Sequence, residues 1–190
     1  MPRLFVLLCT IALSAACSEP PQKEIDRAQG AIDAARAAGA ERYAEAEFTT
    51  ATTALQQAHD AVAQRDYRLA LSRALDASER AQQAARQAAD GKARVRSEAE
   101  SLVMTTATAH QQLLSAAKAA EAARVPTAVV VAARQTAARI DATLQKARAL
   151  LKAEQYLEAR ETLKGATDRV GVQIRALNDA QKARAARRRT

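Results

Sequence analysis

Apolar and small residues recur at intervals of three and four along the chain from Glu24 onward, which is helical spacing. Runs of β-branched residues, which would favour strands, are nearly absent. The pattern predicts five helices, with the first ending at Ala38-Gly39. Their core-facing positions are Ile25, Ala28, Ile32 and Ala35; Phe48, Ala51, Leu55, Ala58 and Val62; Tyr67, Leu71, Ala74, Ala77, Ala81, Ala84 and Ala88, continued by Val95, Ala99, Leu102, Thr106, Ala109, Leu113, Ala116 and Ala120; Val129, Ala133, Thr136, Ile140, Thr143, Ala147 and Leu150; and Tyr156, Ala159, Leu163, Ala166, Val170, Ile174 and Leu177.

Two turns separate predicted helices, and a glycine lowers the stability of the longest helix at one position. Gln64-Arg65-Asp66 reads as a turn in which Asp66 caps the following helix. Val125-Pro126 is a firm break, because proline disfavours helix at the residue before it, and Thr127 is the expected restart. Gly91 costs about 1 kcal/mol relative to alanine inside a helix, so we read it as a soft point rather than an end.

These elements predict an all-α fold of elongated antiparallel hairpins, similar to a coiled coil. If residues 67–123 are continuous, that helix is about 85 Å long and is shared by two hairpin bundles. Of the 190 residues, 48% are hydrophobic but only 3% are aromatic, with no Trp, and alanine makes up most of the difference. Alanine favours helices but buries little apolar area, so closely packed slim helices are expected rather than a thick core.

An internal repeat with an offset of 89 residues is visible in the sequence. Leu55-Gln56-x-Ala58, Tyr67-x-x-Ala70 and Ala77-x-x-Arg80 recur as Leu144-Gln145-x-Ala147, Tyr156-x-x-Ala159 and Ala166-x-x-Arg169. We therefore predict a first helical repeat over residues 23–96, a second over 97–181, and a basic tail over 182–190.

The N-terminus has the three parts of a secretory signal peptide, which we assign to residues 1–16. Arg3 supplies the positive charge, an apolar run follows from Leu4, and small residues precede Cys17. The apolar stretch of residues 4–16 is shorter than the roughly 20 residues that span a bilayer as a helix. A cleaved leader is therefore predicted rather than a permanent membrane span.

Leu13-Ser14-Ala15-Ala16-Cys17 resembles the lipobox of bacterial lipoproteins, although Ser14 stands where that family favours leucine. The resemblance implies that Cys17 carries acyl chains and becomes the new N-terminus, with residues 17–22 as a tether. Cys9 leaves with the leader, so Cys17 has no internal disulfide partner. Ser18 after the cysteine implies sorting to the outer rather than the inner membrane. The alternative is ordinary signal-peptidase cleavage, which leaves a free thiol on an unanchored periplasmic protein.

The first repeat resembles a family of alanine-rich bacterial lipoproteins whose helical domain has no known function. The resemblance rests on the residues 37–47, which read Ala-Ala-Gly-Ala-Glu-Arg-Tyr-Ala-x-Ala-Glu, on Leu55, and on Asp66-Tyr67-x-x-Ala70. It covers residues 24–90, and Glu45 stands where the family usually has proline. The resemblance implies a helical module of the cell envelope and carries no catalytic residues.

The net charge is +8, and the C-terminal tail concentrates it. Basic residues at a helix C-terminus interact favourably with its dipole, but they also suit anionic lipid headgroups or lipopolysaccharide phosphates. A third interpretation is a solvated tail without a ligand. Nucleic acid is not an expected partner, because the leader directs export and few aromatic residues are available for base stacking. The candidate contacts with an anionic surface are Lys182, Arg184, Arg187, Arg188 and Arg189.

No residue set predicts an enzyme, a metal site, a cofactor or a small-molecule substrate. His59 and His110 are on different helices, and zinc needs three or four converging ligands. Glu41, Glu45 and Glu47 read as a solvated helix face with Arg42. Tyr67 and Tyr156 are predicted core residues at the two hairpin turns, with a role as contact residues for a partner as the alternative.

These features lead to two functional hypotheses. The first is a lipid-anchored periplasmic scaffold or adaptor, attached to the membrane through Cys17, that binds other envelope proteins or the cell wall. The second is a protein that lies on an anionic membrane surface through amphipathic helices and the basic tail. Alanine-rich faces argue against the second, because they offer little apolar area to insert.

Overall fold

The computed structural model describes residues 19–188, and this part of the chain is helical without strands. The all-α prediction is confirmed. The break at Val125-Pro126 and the restart at Thr127 are also confirmed. The helices are α1 Gln22–Ala37, α2 Ala40–Tyr43, α3 Glu45–Ala63, α4 Tyr67–Ala122, α5 Thr127–Lys152, α6 Tyr156–Leu163 and α7 Ala166–Arg187.

The chain forms two compact units, of which unit 1 ends at Gly91 and unit 2 begins at Lys92. Helix α4 runs through this boundary without interruption, so Gly91 is not a helix end. The boundary that we predicted between residues 96 and 97 lies five residues further along the same helix. Each unit therefore takes its own segment of α4 as one of its helices.

The core of unit 1 is a seam of alanines with a few larger side chains from α1 and α3. All four predicted seam residues of α1 are buried, and Val62 of α3 packs at the edge of the core. The prediction for Leu71 of α4 is wrong, because this side chain is 38% exposed while Ala70 beside it is fully buried. At this seam the helices pack closely through small side chains, so Ala70 faces the neighbouring helices and the larger Leu71 faces solvent. The buried residues of α4 in unit 1 include Ala70, Ala74, Ala77, Ala81, Ala84 and Ala88.

In unit 2, α5 packs against α6 and α7 as well as the second half of α4. A helix with neighbours on two sides buries a wider face than a single seam. The predicted positions Val129, Thr136 and Thr143 are accordingly only half-buried, and the residue after each of them is buried instead. The buried residues of α5 are Val130, Ala133, Ala137, Ile140, Leu144 and Ala147.

The predicted fifth helix is two helices, because the chain breaks at Lys164-Gly165. Gly165 has φ +67°, a left-handed conformation that glycine adopts without a steric penalty. The Lys164 N–H closes α6 by donating to the Glu161 carbonyl. The core-facing pattern nevertheless continues across the break, since Leu163 and Ala166 are both buried.

The two turns predicted to be equivalent by the repeat have the same hydrogen bonds. After α3, the N–H of Asp66 donates to the Ala61 carbonyl over 2.9 Å, and after α5 the N–H of Gln155 donates to the Leu150 carbonyl over 2.9 Å. Both turns also hold a non-glycine residue in the left-handed region, at Arg65 (φ 59°) and Glu154 (φ 58°). All these pairs differ by 89 residues, so the sequence repeat corresponds to a repeated Schellman turn.

Asp66 caps α4 as predicted. Its Oδ1 accepts a hydrogen bond from the Leu69 N–H at 3.0 Å, which satisfies one of the N–H groups that have no acceptor inside the helix. Gln155 occupies the equivalent position before α6 and has no side-chain cap. The cap is therefore a difference between the two repeats.

Candidate functional site

The predicted site residues fall into three groups according to where the structure places them. Cys17 and Arg189 lie outside the described residues. Tyr67 and Tyr156 begin α4 and α6, and the remaining basic tail residues belong to α7 and its last turn.

The two tyrosines have different surroundings. Tyr156 is buried at 7% exposure. Tyr67 is only half-buried, so the two tyrosines that match in the sequence repeat differ in burial. The Lys92 ammonium lies 5.7 Å from the centre of the Tyr156 ring, in a cation–π contact.

Two ion pairs join residues on either side of Tyr156 in sequence to the first part of α4 in unit 2. Lys92 Nζ donates a hydrogen bond to Glu154 Oε2 at 2.8 Å, and Arg160 Nη1 donates to Glu98 Oε2 at 2.9 Å. All four side chains are between 41% and 67% exposed, so the pairs orient the turn rather than form a buried charge cluster. The sequence alone did not indicate these pairs, because the partners are 62 residues apart.

Two pKa shifts arise from these surroundings. The hydrogen bond and positive charge of Lys92 hold the pKa of the Glu154 carboxyl below its usual value. A hydrogen bond to the Glu100 carboxylate, together with its charge, raises the pKa of Arg96. Both groups therefore stay charged over a wider pH range than in the unfolded chain.

The lowered pKa of Glu154 makes the stability of unit 2 depend on pH. A carboxyl with a depressed pKa in the folded state contributes stability at neutral pH, and this contribution is lost as the pH falls through the acid range. We expect wild type to lose more stability between about pH 7 and about pH 3 than Glu154→Gln does, in urea unfolding followed by circular dichroism. Asp179→Asn, which removes an exposed carboxylate from α7, is the matched control. An equal pH dependence of wild type and Glu154→Gln contradicts this assignment.

The basic tail is helical as far as Arg187, and part of it forms a cavity. Arg184, Arg187 and Arg188 line a space of about 280 Å³ together with Pro126, Ala180 and Ala183. Arg184 Nε is buried within the protein and has no hydrogen-bond partner. Lys182 is exposed and is not among the lining residues. The structure thus brings together three of the five predicted basic residues and adds Pro126, which sequence reasoning had treated only as a helix break.

A second groove lies between α5 and α7 and has a volume of about 490 Å³. Its basic side chains are Arg139 and Arg169, and threonines, Gln173 and apolar residues form the rest. No sequence pattern marks this groove, because its residues come from two helices that are separated in sequence.

The histidines lie on different helices, as predicted. His59 is exposed on α3, and His110 is buried on α4 at 9% exposure, one turn after Thr106. The Thr106 hydroxyl is buried and has no hydrogen-bond partner. Within residues 19–188, no three His, Cys, Asp or Glu side chains lie close enough to hold a metal ion.

The acidic residues around Arg42 are arranged largely as the sequence predicted. Glu41 and Glu45 are exposed, whereas Glu47 is half-buried and lies 3.8 Å from Arg80. Glu41 also pairs with Arg36 at 2.9 Å. This arrangement is typical of a solvated helix face.

None of the helices within the described residues is long and apolar enough to cross a membrane. Comparison of the chain with known protein families, curated proteins and solved structures found no match.

Proposed function

We propose that this protein is a lipid-anchored scaffold or adaptor on the periplasmic side of the bacterial outer membrane. The observation that carries the proposal is the sequence Leu13-Ser14-Ala15-Ala16-Cys17 after an apolar leader. Acyl chains on Cys17 contribute about 0.8 kcal/mol per buried methylene, and two or three chains are enough for stable anchoring. Fatty acylation also accounts for a lone cysteine in an exported chain.

The beginning of the fold is compatible with a short tether. Helix α1 starts at Gln22, and Glu19, Pro20 and Pro21 before it are not helical. Fully extended, residues 17–21 reach at most about 18 Å. On this proposal the first turn of α1 therefore stays close to the headgroups of the anchoring membrane.

A role in binding other macromolecules is supported by the surface rather than by any reactive group. The cores are made largely of alanine, while several larger apolar side chains lie outside them. Surface apolar side chains are common singly, but neighbours one turn apart form a patch that suits contact with a protein. Leu71 and Leu75 are such neighbours in unit 1, at 38% and 48% exposure. The proposed partners are envelope proteins or the cell wall, as the sequence predicted.

Metabolic labelling with an alkyne-bearing palmitate tests the anchor. We expect the wild-type chain to incorporate the label, Cys17→Ala to lose it, and Cys9→Ala to keep it, because Cys9 lies in the leader. Label on Cys17→Ala, or none on wild type, contradicts the lipid anchor. Cross-linking in intact cells tests the adaptor role separately, and the absence of any reproducible cross-linked envelope protein or wall attachment contradicts it.

A further inference from the structure

We propose that the cavity at the C-terminal end of α7 binds the phosphate group of a phosphate ester through Arg184, Arg187 and Arg188. This inference goes beyond the proposed scaffold role and does not depend on the lipid anchor. It rests on three observations: the cavity of about 280 Å³, the buried guanidinium nitrogen of Arg184, and the N-terminus of α5 at Pro126, which lines the same cavity.

Arg184 Nε is removed from solvent without a hydrogen-bond acceptor, and an unsatisfied buried donor of a charged group is costly. An anion in the cavity that Arg184 lines would offset the positive charge of its guanidinium and would accept hydrogen bonds from the group's remaining N–H donors. The helix dipole of α7 explains why basic residues favour its last turn, but solvated side chains would serve that purpose equally well. The dipole therefore does not explain a cavity with a buried donor.

The end of α5 adds a second source of positive potential. Pro126, a lining residue of the cavity, is the N-cap of α5 and provides no side-chain cap. The first N–H groups of a helix have no acceptor within it, and the positive end of the dipole attracts anions. The arginines of α7 and the N-terminus of α5 thus reinforce one another on the same anion.

The shape and composition of the cavity favour a phosphate ester over a simple ion. Guanidinium groups match the oxygens of phosphate with two parallel hydrogen bonds, whereas lysine acts as a point charge. A volume of about 280 Å³ exceeds what one small ion fills, since a water molecule occupies about 30 Å³. Pro126, Ala180 and Ala183 supply an apolar wall that suits the carbon part of the ester. The phosphate comes either from a lipid headgroup or from a soluble ester.

Calorimetric titration of the full chain in detergent with glycerol phosphate is the first test. We expect Arg184→Gln to weaken binding about tenfold or more. Lys182→Gln removes the same charge from the same tail but does not touch the cavity, so its effect should stay below about threefold. Arg139→Gln reports on the groove between α5 and α7. Circular dichroism checks that all three variants keep the wild-type helix content and melting temperature.

Each outcome is decisive. Equal effects of Lys182→Gln and Arg184→Gln indicate diffuse charge attraction and overturn the site. If Arg139→Gln weakens binding more than Arg184→Gln does, the ligand binds in the groove between α5 and α7 and the proposal is wrong. The absence of binding by wild type also overturns the proposal. Vesicles of phosphatidylglycerol or phosphatidylcholine then distinguish the source, with every variant carrying Cys17→Ala so that no acyl chain holds it on the vesicle. Weaker retention of Arg184→Gln than of Lys182→Gln on phosphatidylglycerol alone identifies a lipid headgroup, whereas equal retention with weakened glycerol phosphate binding identifies a soluble ester.

Discussion

Ala81→Leu is expected to destabilise unit 1 by about 2–3 kcal/mol, the largest effect that we predict for a single substitution. Ala81 is fully buried in the core that joins α4 to α1 and α3. Leucine adds a large apolar side chain, but a seam of alanines leaves no space for it, so the helices must separate or the side chain must leave its rotamer. Urea unfolding followed by circular dichroism measures the loss, and for a domain of this size each kcal/mol lowers the melting temperature by about 4–8 °C.

Ala89→Leu is the matched control for this substitution. Ala89 lies on the same helix and in the same unit but is exposed. A leucine there keeps a good helix former and meets no packed neighbour, so the change should stay within about 0.5 kcal/mol. If both substitutions leave stability unchanged, or if Ala81→Leu stabilises the protein, the account of the alanine seam is wrong.

Gly91→Ala is expected to destabilise unit 1 by about 1–2 kcal/mol, although alanine is the better helix former. A Cβ at this position would lie 2.8 Å from the Tyr43 carbonyl oxygen and 3.2 Å from the Tyr43 Cβ. The first distance is below van der Waals contact with a backbone atom, which cannot swing away as a flexible side chain can. Displacing the end of α2 should cost more than the roughly 1 kcal/mol gained in helix propensity.

Gly30→Ala should have the opposite sign. Gly30 lies within α1, and an added Cβ there meets nothing within 4 Å. Only the helix propensity and the entropy of the unfolded chain change, so a gain of about 0.5–1 kcal/mol is expected. Stabilisation by both substitutions would show that the close approach of Tyr43 to Gly91 is absent in solution.

The periodicity of the sequence predicted the helices well, because burial along a helix follows a spacing that can be counted. It was less successful at deciding between neighbouring residues. Leu71 looked like a core residue because it is large and apolar, but the close approach of the helices selected Ala70. For α5, the spacing favoured Val129 over Val130, since a single seam was assumed for a helix that has neighbours on two sides.

The backbone was also predicted only in part from the sequence. The repeat predicted equivalent turns, and the hydrogen bonds around Arg65 and Glu154 are indeed equivalent. The break at Gly165 was missed, because the core-facing pattern passes from Leu163 to Ala166 without a change of spacing. A glycine in the left-handed region interrupts the backbone without interrupting the hydrophobic pattern.

The sequence identified the basic residues of the candidate site but not the cavity that they line. The basic residues of the tail could be identified from their charge alone. Their assembly around a cavity depends on Pro126, which is distant in sequence and reaches Arg184 only through the packing of α5 and α7 in unit 2. The pairing of Lys92 with Glu154 was hidden for the same reason. Contacts between distant residues leave no periodic signal to count.

Intact mass spectrometry of the protein extracted from its native membranes tests the proposed anchor most directly. The account predicts a mass equal to residues 17–190 plus a diacylglyceryl group, and a further acyl chain if the new amine is modified. It also predicts no reaction of Cys17 with thiol reagents. A mass that still includes residues 1–16, or a chain that begins at Cys17 with a free sulfhydryl, contradicts the account.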